Sequence, residues 1–390
     1  MTPFAFNTTK SIVFENGAAA RLAEKAGALL GSRVLVVTDP GLRKLGLCDA
    51  AIASLEAAGH AVTVFDKVEA DPSRATLVAA TEVAREAGAT GIAGFGGGSS
   101  LDIAKLVALL AGSDEDLDEA WGVGNAKGPR LPLVLVPTTA GTGSEVTPVS
   151  IITVENDEKR GVSSPVILPD MAILDASLTL GLPPHITAAT GIDAMVHAIE
   201  AYASKSANNN PLSRMIARQA LELLGANIEE AVFNGKNAEA RAAMLLGSML
   251  AGQAFANSPV AAVHALAYPV GGTFHVPHGL SNALVLEHVL RFNAAETANG
   301  SERLYAELAP HAFPDLGAIG GTQGRCAAFI ERLASLSEKL GLETKLRQVG
   351  IGEEHLEQMA ADAMKQQRLL VNNPRTVSEA DALAIYKAAW

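Results

Sequence analysis

The sequence predicts an α/β N-terminal domain built on a parallel sheet, followed by an all-α C-terminal domain. Up to about residue 137, short apolar segments alternate with longer helical patterns. From about residue 185 onward, long stretches rich in alanine and leucine replace the β-branched segments. Between the two regions, the segment GLPP at 181–184 interrupts helices and strands alike. We therefore expect two domains, 1–183 and 184–390, as a chain of 390 residues would suggest.

Four short apolar segments are expected to form the strands of the parallel sheet. They are RVLVVTD at 33–39, AVTVFDKV at 61–68, TGIAGFG at 90–96 and LPLVLVP at 131–137. Helical patterns follow the first three segments, at 41–59, 73–88 and 99–112. Strands that alternate with helices of this length are typical of a parallel sheet with crossover helices.

Composition argues against several classes of protein. A net charge of −12 without a basic stripe disfavours binding to nucleic acid. The longest uninterrupted apolar runs have the length of strands, so we expect no association with a membrane. The first residues lack the charged and apolar regions of a signal peptide, and the two cysteines, Cys48 and Cys326, have no paired spacing. These features predict a cytoplasmic protein without a thiolate zinc site.

The segment GFGGGSSLDIAK at 94–105 joins a predicted strand to a predicted helix. In this setting glycines allow backbone N–H groups to approach a phosphate. The segment departs from the usual dinucleotide fingerprint, because a serine occupies the last glycine position and no acidic residue follows about 20 positions later. A glycine-rich turn before a well-capped helix is the alternative, since Ser99 and Asp102 both suit a helix start.

Two further segments of the first half could contact the same ligand. Asp39 ends an earlier predicted strand, where it could face a ribose or simply cap the following helix. The loop PTTAGTGSEVT at 137–147 follows a predicted buried strand and is rich in glycine and hydroxyl groups. Many loops share this composition, so the loop gains meaning only together with the other motifs.

The segment GIDAMVHAIEAY at 191–202 carries Asp193 and His197 four residues apart, which places them on one face of a helix. One interpretation is an ion pair on the helix surface. The neighbouring residues are apolar, however, and predict a mostly buried helix: Ile192, Met195, Val196, Ala198 and Ile199. A buried Asp–His pair needs a partner, and a metal ion is one candidate.

Three of the nine histidines fall in the segment AAVHALAYPVGGTFHVPHG at 261–279: His264, His275 and His278. A single histidine on an apolar face is more often a core residue than a metal ligand. Three in one segment of a domain that also holds Asp193 and His197 favour a metal site with mixed nitrogen and oxygen ligands.

Taken together, these motifs resemble the iron-containing (group III) alcohol dehydrogenase family. GGGSSLDIAK, PTTAGTGSEVT, GIDAMVHAIEAY and HALAYPVGGTFHVPHG stand in the order of that family, and the resemblance spans about 10–380. It implies the dehydroquinate synthase-like architecture: a dinucleotide-binding α/β domain, a helical domain, and a metal in the cleft between them. The implied reaction is hydride transfer between NAD(H) and a small alcohol, aldehyde or ketone. Fe²⁺ is the implied metal, Zn²⁺ is chemically possible, and a homodimer is the expected assembly.

The resemblance also implies roles for individual residues. The metal ligands would be Asp193, His197, His264 and His278. Asp39 would face the adenosine ribose and favour NAD over NADP. The other nucleotide contacts would be Gly96, Gly97, Gly98, Ser99, Asp102, Thr138, Thr139, Thr142, Ser144, Lys159 and Leu180.

Tyr268 departs from the pattern of the family, many members of which carry a histidine at this position. That histidine is usually drawn near the nicotinamide, where it can pass a proton to solvent. A tyrosine hydroxyl can form a hydrogen bond there, but its pKa near 10 makes it a poorer relay at neutral pH. We therefore expect Tyr268 either to take part in proton transfer or only to pack.

Three other functions fit the same motifs. A lyase of the dehydroquinate synthase type shares the fold, but it would need cations for a phosphorylated substrate, and the site segments are poor in Lys and Arg. A hydroxyacid–oxoacid transhydrogenase would keep NAD(H) bound. The third function is a non-catalytic nucleotide-binding scaffold with a structural metal. A structural metal site, however, is closed by four ligands and needs no adjacent nucleotide loop. Val149, Phe255 and Val260 are expected near the substrate, which favours a small or medium aliphatic alcohol.

Overall fold

The computed structural model describes residues 3–155, 158–296 and 300–390. The chain forms two compact units: Asn7–Gly181, called here the sheet unit, and Met1–Phe6 with Leu182–Trp390, called here the helical unit. The division into domains after residue 183 remains a prediction from the sequence.

The sheet unit is built on a six-stranded parallel sheet, which confirms the predicted fold class. Among its described residues, the unit contains the strands β1 (Ser11–Phe14), β2 (Arg33–Val37), β3 (Ala61–Phe65), β4 (Gly91–Gly96), β5 (Gly122–Val123), β6 (Leu133–Pro137), β7 (Val149–Thr153), β8 (Lys159–Ser163) and β9 (Met171–Leu174). In the main sheet the strand order is β1-β9-β6-β4-β2-β3, and every pair is parallel. A second sheet holds β5, β8 and β7 in that order.

Each of the four predicted strands contains an observed strand, and helices connect them. The helices of this unit are α1 (Leu22–Leu30), α2 (Pro40–Lys44), α3 (Asp49–Ala57), α4 (Arg74–Glu86), α5 (Gly98–Gly112) and α6 (Leu117–Ala120). The single helix predicted at 41–59 is two helices, because Gly46 takes a φ of 68° and turns the chain between α2 and α3. All residues of strands β4 and β6 are buried, and so are all residues of β2 except Arg33.

The helical unit confirms the predicted all-α part, since its described residues form no strand. Its helices are α7 (Pro184–Ala203), α8 (Pro211–Phe233), α9 (Ala238–Asn257), α10 (Ala262–Phe274), α11 (His278–Ala294), α12 (Ser301–Ala312), α13 (Thr322–Lys339), α14 (Leu356–Ala363), α15 (Gln367–Leu370) and α16 (Glu379–Ala389). Across the described part of the chain, no helix combines the length and the apolar character that a membrane span requires.

Three helices of this unit carry the predicted metal-site residues. Helix α7 begins with Pro184, whose fixed φ suits a first helical position, and all of its residues from Gly191 to Ala203 are buried. Helix α10 ends at Phe274, and its C-cap residue, His275, takes a left-handed conformation with a φ of 55°. Only the residues 275–277 separate α10 from α11, which begins at His278. The short connection keeps the end of α10 close to the start of α11.

Candidate metal centre and nucleotide loops

The structure brings Asp193, His197, His264 and His278 together from three helices. One potential ligand atom from each lies within 4.8 Å of those of the others. Asp193, His197 and His264 are 2%, 4% and 3% exposed, whereas the side chain of His278 is 42% exposed. The cluster therefore has a buried base and one side that solvent or a small molecule can reach.

The carboxylate of Asp193 is kept ionised inside this buried cluster. Burial opposes ionisation, but the three histidines and a hydrogen bond from Asn282 outweigh it, so the pKa of Asp193 lies below its ordinary value. Oδ1 of Asp193 lies 3.7 Å from Nε2 of His278 and 4.0 Å from Nε2 of His264. An anionic oxygen and imidazole nitrogens thus face one common space.

Glu200 holds the ligand candidate His264 from the side opposite the cluster. Oε2 of Glu200 lies 2.6 Å from Nδ1 of His264, and Oε1 accepts a 2.7 Å hydrogen bond from the N–H of Val263. Glu200 is only 5% exposed. A carboxylate at Nδ1 favours the tautomer whose proton sits on Nδ1, so Nε2 keeps its lone pair toward the cluster. Glu200 was not predicted from the sequence, although its position seven residues after Asp193 places it on the same helix face.

Asn282 was also missed, and its amide lies among the candidate ligands. Nδ2 donates a 2.7 Å hydrogen bond to Oδ1 of Asp193 and lies 3.3 Å from Nε2 of both His264 and His278. Oδ1 of Asn282 is buried without a hydrogen-bond partner. A buried polar oxygen is rarely left without a partner. Asn282 follows His278 by one helical turn, a spacing that could have drawn attention to it.

These donors fit a divalent transition-metal ion. Three imidazoles and one carboxylate form a mixed nitrogen and oxygen set of the kind that such ions take in proteins. The ionised Asp193 and the tautomer of His264 both suit a cation in the space that these side chains share. His275, the third histidine of the segment at 261–279, is exposed and lies outside the cluster.

Two aromatic side chains line the cluster. The ring of Phe255 stacks on the ring of His197 with 4.4 Å between their centroids. The ring of Tyr268 lies 6.3 Å from the ring of His278, and its hydroxyl accepts a 3.1 Å hydrogen bond from Nη2 of Arg368. Tyr268 is therefore near the predicted ligands without being one of them. The cluster is thus lined by the apolar ring of Phe255 at His197 and by Tyr268, with its polar hydroxyl, near His278.

In the sheet unit, the two predicted nucleotide loops pack directly against each other. A Cβ added to Gly98 would lie 2.8 Å from Cγ2 of Thr142, so no larger residue fits there without movement. At the start of the two loops, the N–H of Thr138 donates a 3.0 Å hydrogen bond to the carbonyl of Gly96. Gly97 is the N-cap of α5, whose first N–H groups have no partner within the helix. Such a helix start attracts a phosphate.

Asp102 and a buried lysine hold the second loop in place. Asp102 accepts hydrogen bonds from the hydroxyl of Ser144 at 2.6 Å and from the N–H of Ile151 at 2.8 Å. Lys105 is fully buried and donates from Nζ to Oγ of Ser144 at 2.7 Å and to Oγ1 of Thr147 at 3.1 Å. Burial lowers the pKa of Lys105, although Asp102 opposes the change. In this structure, Asp102 and Ser144 are thus occupied with positioning the loop.

The remaining predicted nucleotide residues lie in the same unit, and their roles stay predictions. Asp39 accepts a 2.9 Å hydrogen bond from the N–H of Leu42 and caps α2, which leaves its second oxygen for another partner. Lys159 lies on β8 and forms a 2.6 Å ion pair with Asp71. The others are Ser99 in the first turn of α5, Thr139 in the second loop, and Leu180 after the short 3-10 helix Ala176–Thr179.

Comparison with known proteins places the chain in a family. Residues 9–176 match "Iron-containing alcohol dehydrogenase", and residues 187–390 match "Fe-containing alcohol dehydrogenase family, C-terminal". Long-chain-alcohol dehydrogenase 1 of Geobacillus thermodenitrificans is 40% identical over 377 residues, which are 96% of this chain and 93% of that protein.

Two solved structures have the same fold. A 1,3-propanediol oxidoreductase superposes with a TM-score of 0.94 at 34% identity, with 100% of both chains covered. Sulfoacetaldehyde reductase from Bifidobacterium kashiwanohense in complex with NAD⁺ superposes with a TM-score of 0.86 at 27% identity, with 100% of this chain and 99% of that chain covered. The chain belongs to the iron-containing alcohol dehydrogenase family.

Proposed function

We propose that this protein is a metal-dependent NAD(H) oxidoreductase that interconverts a small alcohol with its aldehyde or ketone. The observation that carries the proposal is the cluster of one ionised carboxylate and three imidazoles, one of which, His278, is exposed to solvent. A purely structural metal site would be closed by its four ligands. Membership of the family, and relatives named for alcohol, propanediol and sulfoacetaldehyde chemistry, support the assignment.

Asp193, His197, His264 and His278 would hold the cation. When bound, it would supply Lewis acidity toward a substrate oxygen, and the nicotinamide would supply or accept the hydride. Asp193 brings the only negative charge of the four, so a divalent ion would keep a net charge of about +1. Glu200 fixes the ring orientation of His264. Exposure at His278 provides the side from which a substrate can approach.

The residues of the sheet unit would bind the nucleotide. The backbone of Gly96, Gly97 and Gly98, at the start of α5, would receive the pyrophosphate. Asp102 and Lys105 anchor the second loop, which follows β6, through hydrogen bonds to the hydroxyl of Ser144. The complex of the Bifidobacterium enzyme supports NAD as the cofactor. We propose that Asp39 then selects NAD over NADP through its negative charge.

Fe²⁺ is the metal that we propose, by analogy with the family name, and Zn²⁺ is the alternative. Three imidazoles and a carboxylate suit both ions, and the chemistry requires no change of oxidation state. A homodimer and a cytoplasmic location remain predictions from the sequence.

A substrate panel tests the proposed function. Purified protein with added Fe²⁺ or Zn²⁺ is offered primary alcohols, diols, aldehydes and hydroxy acids, and the absorbance of NADH is followed. We expect turnover with added NAD(H) that a chelator abolishes and the metal restores. Turnover of a hydroxy acid with an oxo acid, without added cofactor, would instead indicate a transhydrogenase. Chelator-resistant activity would contradict the assigned metal site.

A further inference from the structure

A guanidinium group stands beside the candidate metal centre. Arg368 lies on the short helix α15 and donates from Nη2 to the hydroxyl of Tyr268 at 3.1 Å. Its Cζ lies 5.9 Å from the centroid of the Tyr268 ring, which in turn lies 6.3 Å from the ring of His278. One aromatic ring therefore separates a fixed positive charge from a predicted metal ligand. Arg368 lies outside the motif segments, which themselves contain few Lys or Arg residues.

The guanidinium of Arg368 forms no ion pair with the part of the chain that the structure describes. Among the described residues, no carboxylate lies within 4.0 Å of its guanidinium, although the chain has 42 acidic and 30 basic residues. The side chain is exposed, and its side-chain hydrogen bond goes to a neutral hydroxyl. A guanidinium has five N–H donors, so most of its donors remain available.

An exposed guanidinium with free donors suits an oxyanion. Its planar fork matches the paired oxygens of a carboxylate or sulfonate, and charge-assisted hydrogen bonds are about twice as strong as neutral ones. The hydrogen bond and ring contact with Tyr268 restrict the guanidinium to the vicinity of the cluster. Less conformational freedom is then lost when an anion binds.

We propose that Arg368, supported by Tyr268, binds the anionic end of substrates whose reacting end reaches the metal centre. The substrate class is a short aldehyde or alcohol with a terminal carboxylate or sulfonate. This inference rests on the proposed function and adds the identity of the substrate's far end. In the reductive direction, the carbonyl carbon gains a hydride from NADH and the oxygen gains a proton. The anionic group takes no part in the chemistry and serves for binding.

Paired substrates test the inference with the full-length, metal-loaded protein. Succinate semialdehyde is compared with butanal, and sulfoacetaldehyde with propanal, so that carboxylate and sulfonate are scored separately. We expect Arg368→Gln to lower kcat/KM for at least one anionic aldehyde by about 10- to 100-fold, the loss of one charged contact. The neutral aldehydes should change by less than about threefold. Arg368→Lys should retain part of the preference, since it keeps the charge and loses the fork.

Arg347 provides a matched control. It is also exposed, and its Cζ lies 5.8 Å from the ring centroid of Trp390, so the same kind of aromatic contact is removed by Arg347→Gln. We expect this variant to retain the kinetics of the wild type on all four aldehydes. The dissociation constant of NADH, measured by fluorescence, should be equal in the wild type and in Arg368→Gln.

Three results would overturn the inference. Equal losses on neutral and anionic aldehydes would show that Arg368 serves the fold or the chemistry in general. Weaker binding of NADH would assign the guanidinium to the cofactor instead. An Arg368→Gln variant without any change would leave Arg368 outside the site, although the proposed function would stand. By contrast, a wild type that reduces none of the aldehydes and oxidises no alcohol would overturn the proposed function itself, and this inference with it.

Discussion

Oε2 of Glu200 lies 2.6 Å from Nδ1 of His264, and both side chains are at most 5% exposed. The second oxygen of Glu200 is occupied by the N–H of Val263. A carboxylate in this position accepts a hydrogen bond from the N–H at Nδ1 and has no proton of its own to donate. The other ring nitrogen, Nε2, is therefore left as a lone-pair donor toward the cluster. The geometry makes Glu200 a positioning residue for a predicted metal ligand.

We expect Glu200→Gln to weaken metal binding by about 10- to 100-fold. If the amide oxygen keeps the bond to Val263, the NH₂ group faces Nδ1 of His264. His264 must then present a lone pair at Nδ1, and its proton moves to Nε2, where it blocks coordination. The metal dissociation constant, from competition with a chromogenic chelator, measures the effect.

Glu222→Gln is the matched control for this experiment. Oε1 of Glu222 lies 2.7 Å from Nδ1 of His311, the same type of contact at an exposed position away from the cluster. Its metal affinity should equal that of the wild type. Equal affinity in Glu200→Gln as well would show that the tautomer of His264 does not depend on Glu200.

Removing a predicted ligand should cost both metal and activity. Asp193→Ala removes the charge of the four-residue cluster, and His264→Ala removes one of its three imidazole nitrogens. We expect elemental analysis to show little bound metal and the NADH assay to show no turnover, with the sheet unit still folded. His185→Ala is the control, because His185 is an exposed histidine on the same helix α7. Full activity in a metal-free variant would refute the assigned site.

The main features of the fold could be predicted because they depend on local patterns. Strands β2, β4 and β6 are continuous apolar segments, as expected of strands buried on both faces. Strands β1 and β9 were not predicted, since each has only four residues and its pairing is non-local. Segments this short do not show a period that separates them from a loop. The small sheet of β5, β7 and β8 was not predicted either.

The sequence predicted those residues of the candidate site that belong to a recognisable motif. It did not predict the residues that contact the cluster through another side chain. Asp193, His197, His264 and His278 stand in recognisable segments, and the structure gathers them. Glu200 lies in one of the same segments, but its role depends on the approach of α10, which no spacing within α7 reveals. Arg368 comes close to the cluster through contacts 100 residues apart in the chain. Such partners become visible only in three dimensions.

Cofactor choice should depend on the charge of Asp39. Two unit charges of like sign about 4 Å apart repel by about 4 kcal/mol at an effective dielectric of about 20. Exposure to solvent should reduce this to about 1–3 kcal/mol, or about 10- to 100-fold weaker binding of NADP than of NAD.

Asp39→Asn tests this assignment by removing the charge of Asp39 without removing its role as a helix cap. Asp39 caps α2 through the N–H of Leu42, and asparagine keeps that cap while it removes the charge. We expect Asp39→Asn to lower the KM for NADPH, while the KM for NADH changes little. A wild type that already uses NADP as well as NAD would contradict the assignment of Asp39 to the ribose.

Glu145 should make the stability of the protein depend on pH. It is 1% exposed, and burial raises the pKa of its carboxyl from 4.5 to about 7. The folded state thus holds a proton that the unfolded state loses, so its contribution to stability is full below about pH 4.5 and is lost as the pH rises to about 7. The change is of the order of 3 kcal/mol. Glu145→Gln should have a smaller fall in Tm between pH 5 and about pH 8 than the wild type. Glu119→Gln, at a largely exposed carboxyl, should retain the behaviour of the wild type.

The hydroxyl of Tyr268 accepts a hydrogen bond from Arg368 and can still donate its own proton. The oxygen accepts from Arg368, so the hydroxyl proton remains available, and the ring lies 6.3 Å from that of His278. If the hydroxyl takes part in proton transfer, Tyr268→Phe should lower kcat by about 10²-fold, with metal content and NADH affinity unchanged. A neutral aldehyde is the proper substrate, because loss of the contact to Arg368 then has no effect on binding. Tyr202→Phe is the control, since Tyr202 also accepts a hydrogen bond from an arginine, Arg218, outside the cluster.

Tyr268→His separates proton transfer from packing. An imidazole titrates near pH 6.5 and a phenol near 10, so a working relay at this position should move the alkaline pH optimum downward. The measurement is kcat against pH for the wild type and Tyr268→His with the same neutral aldehyde. If Tyr268 only packs, we expect two results together: an unchanged pH profile in Tyr268→His and an unchanged kcat in Tyr268→Phe. That pair of results would leave Tyr268 as a support for Arg368 and remove it from the chemistry.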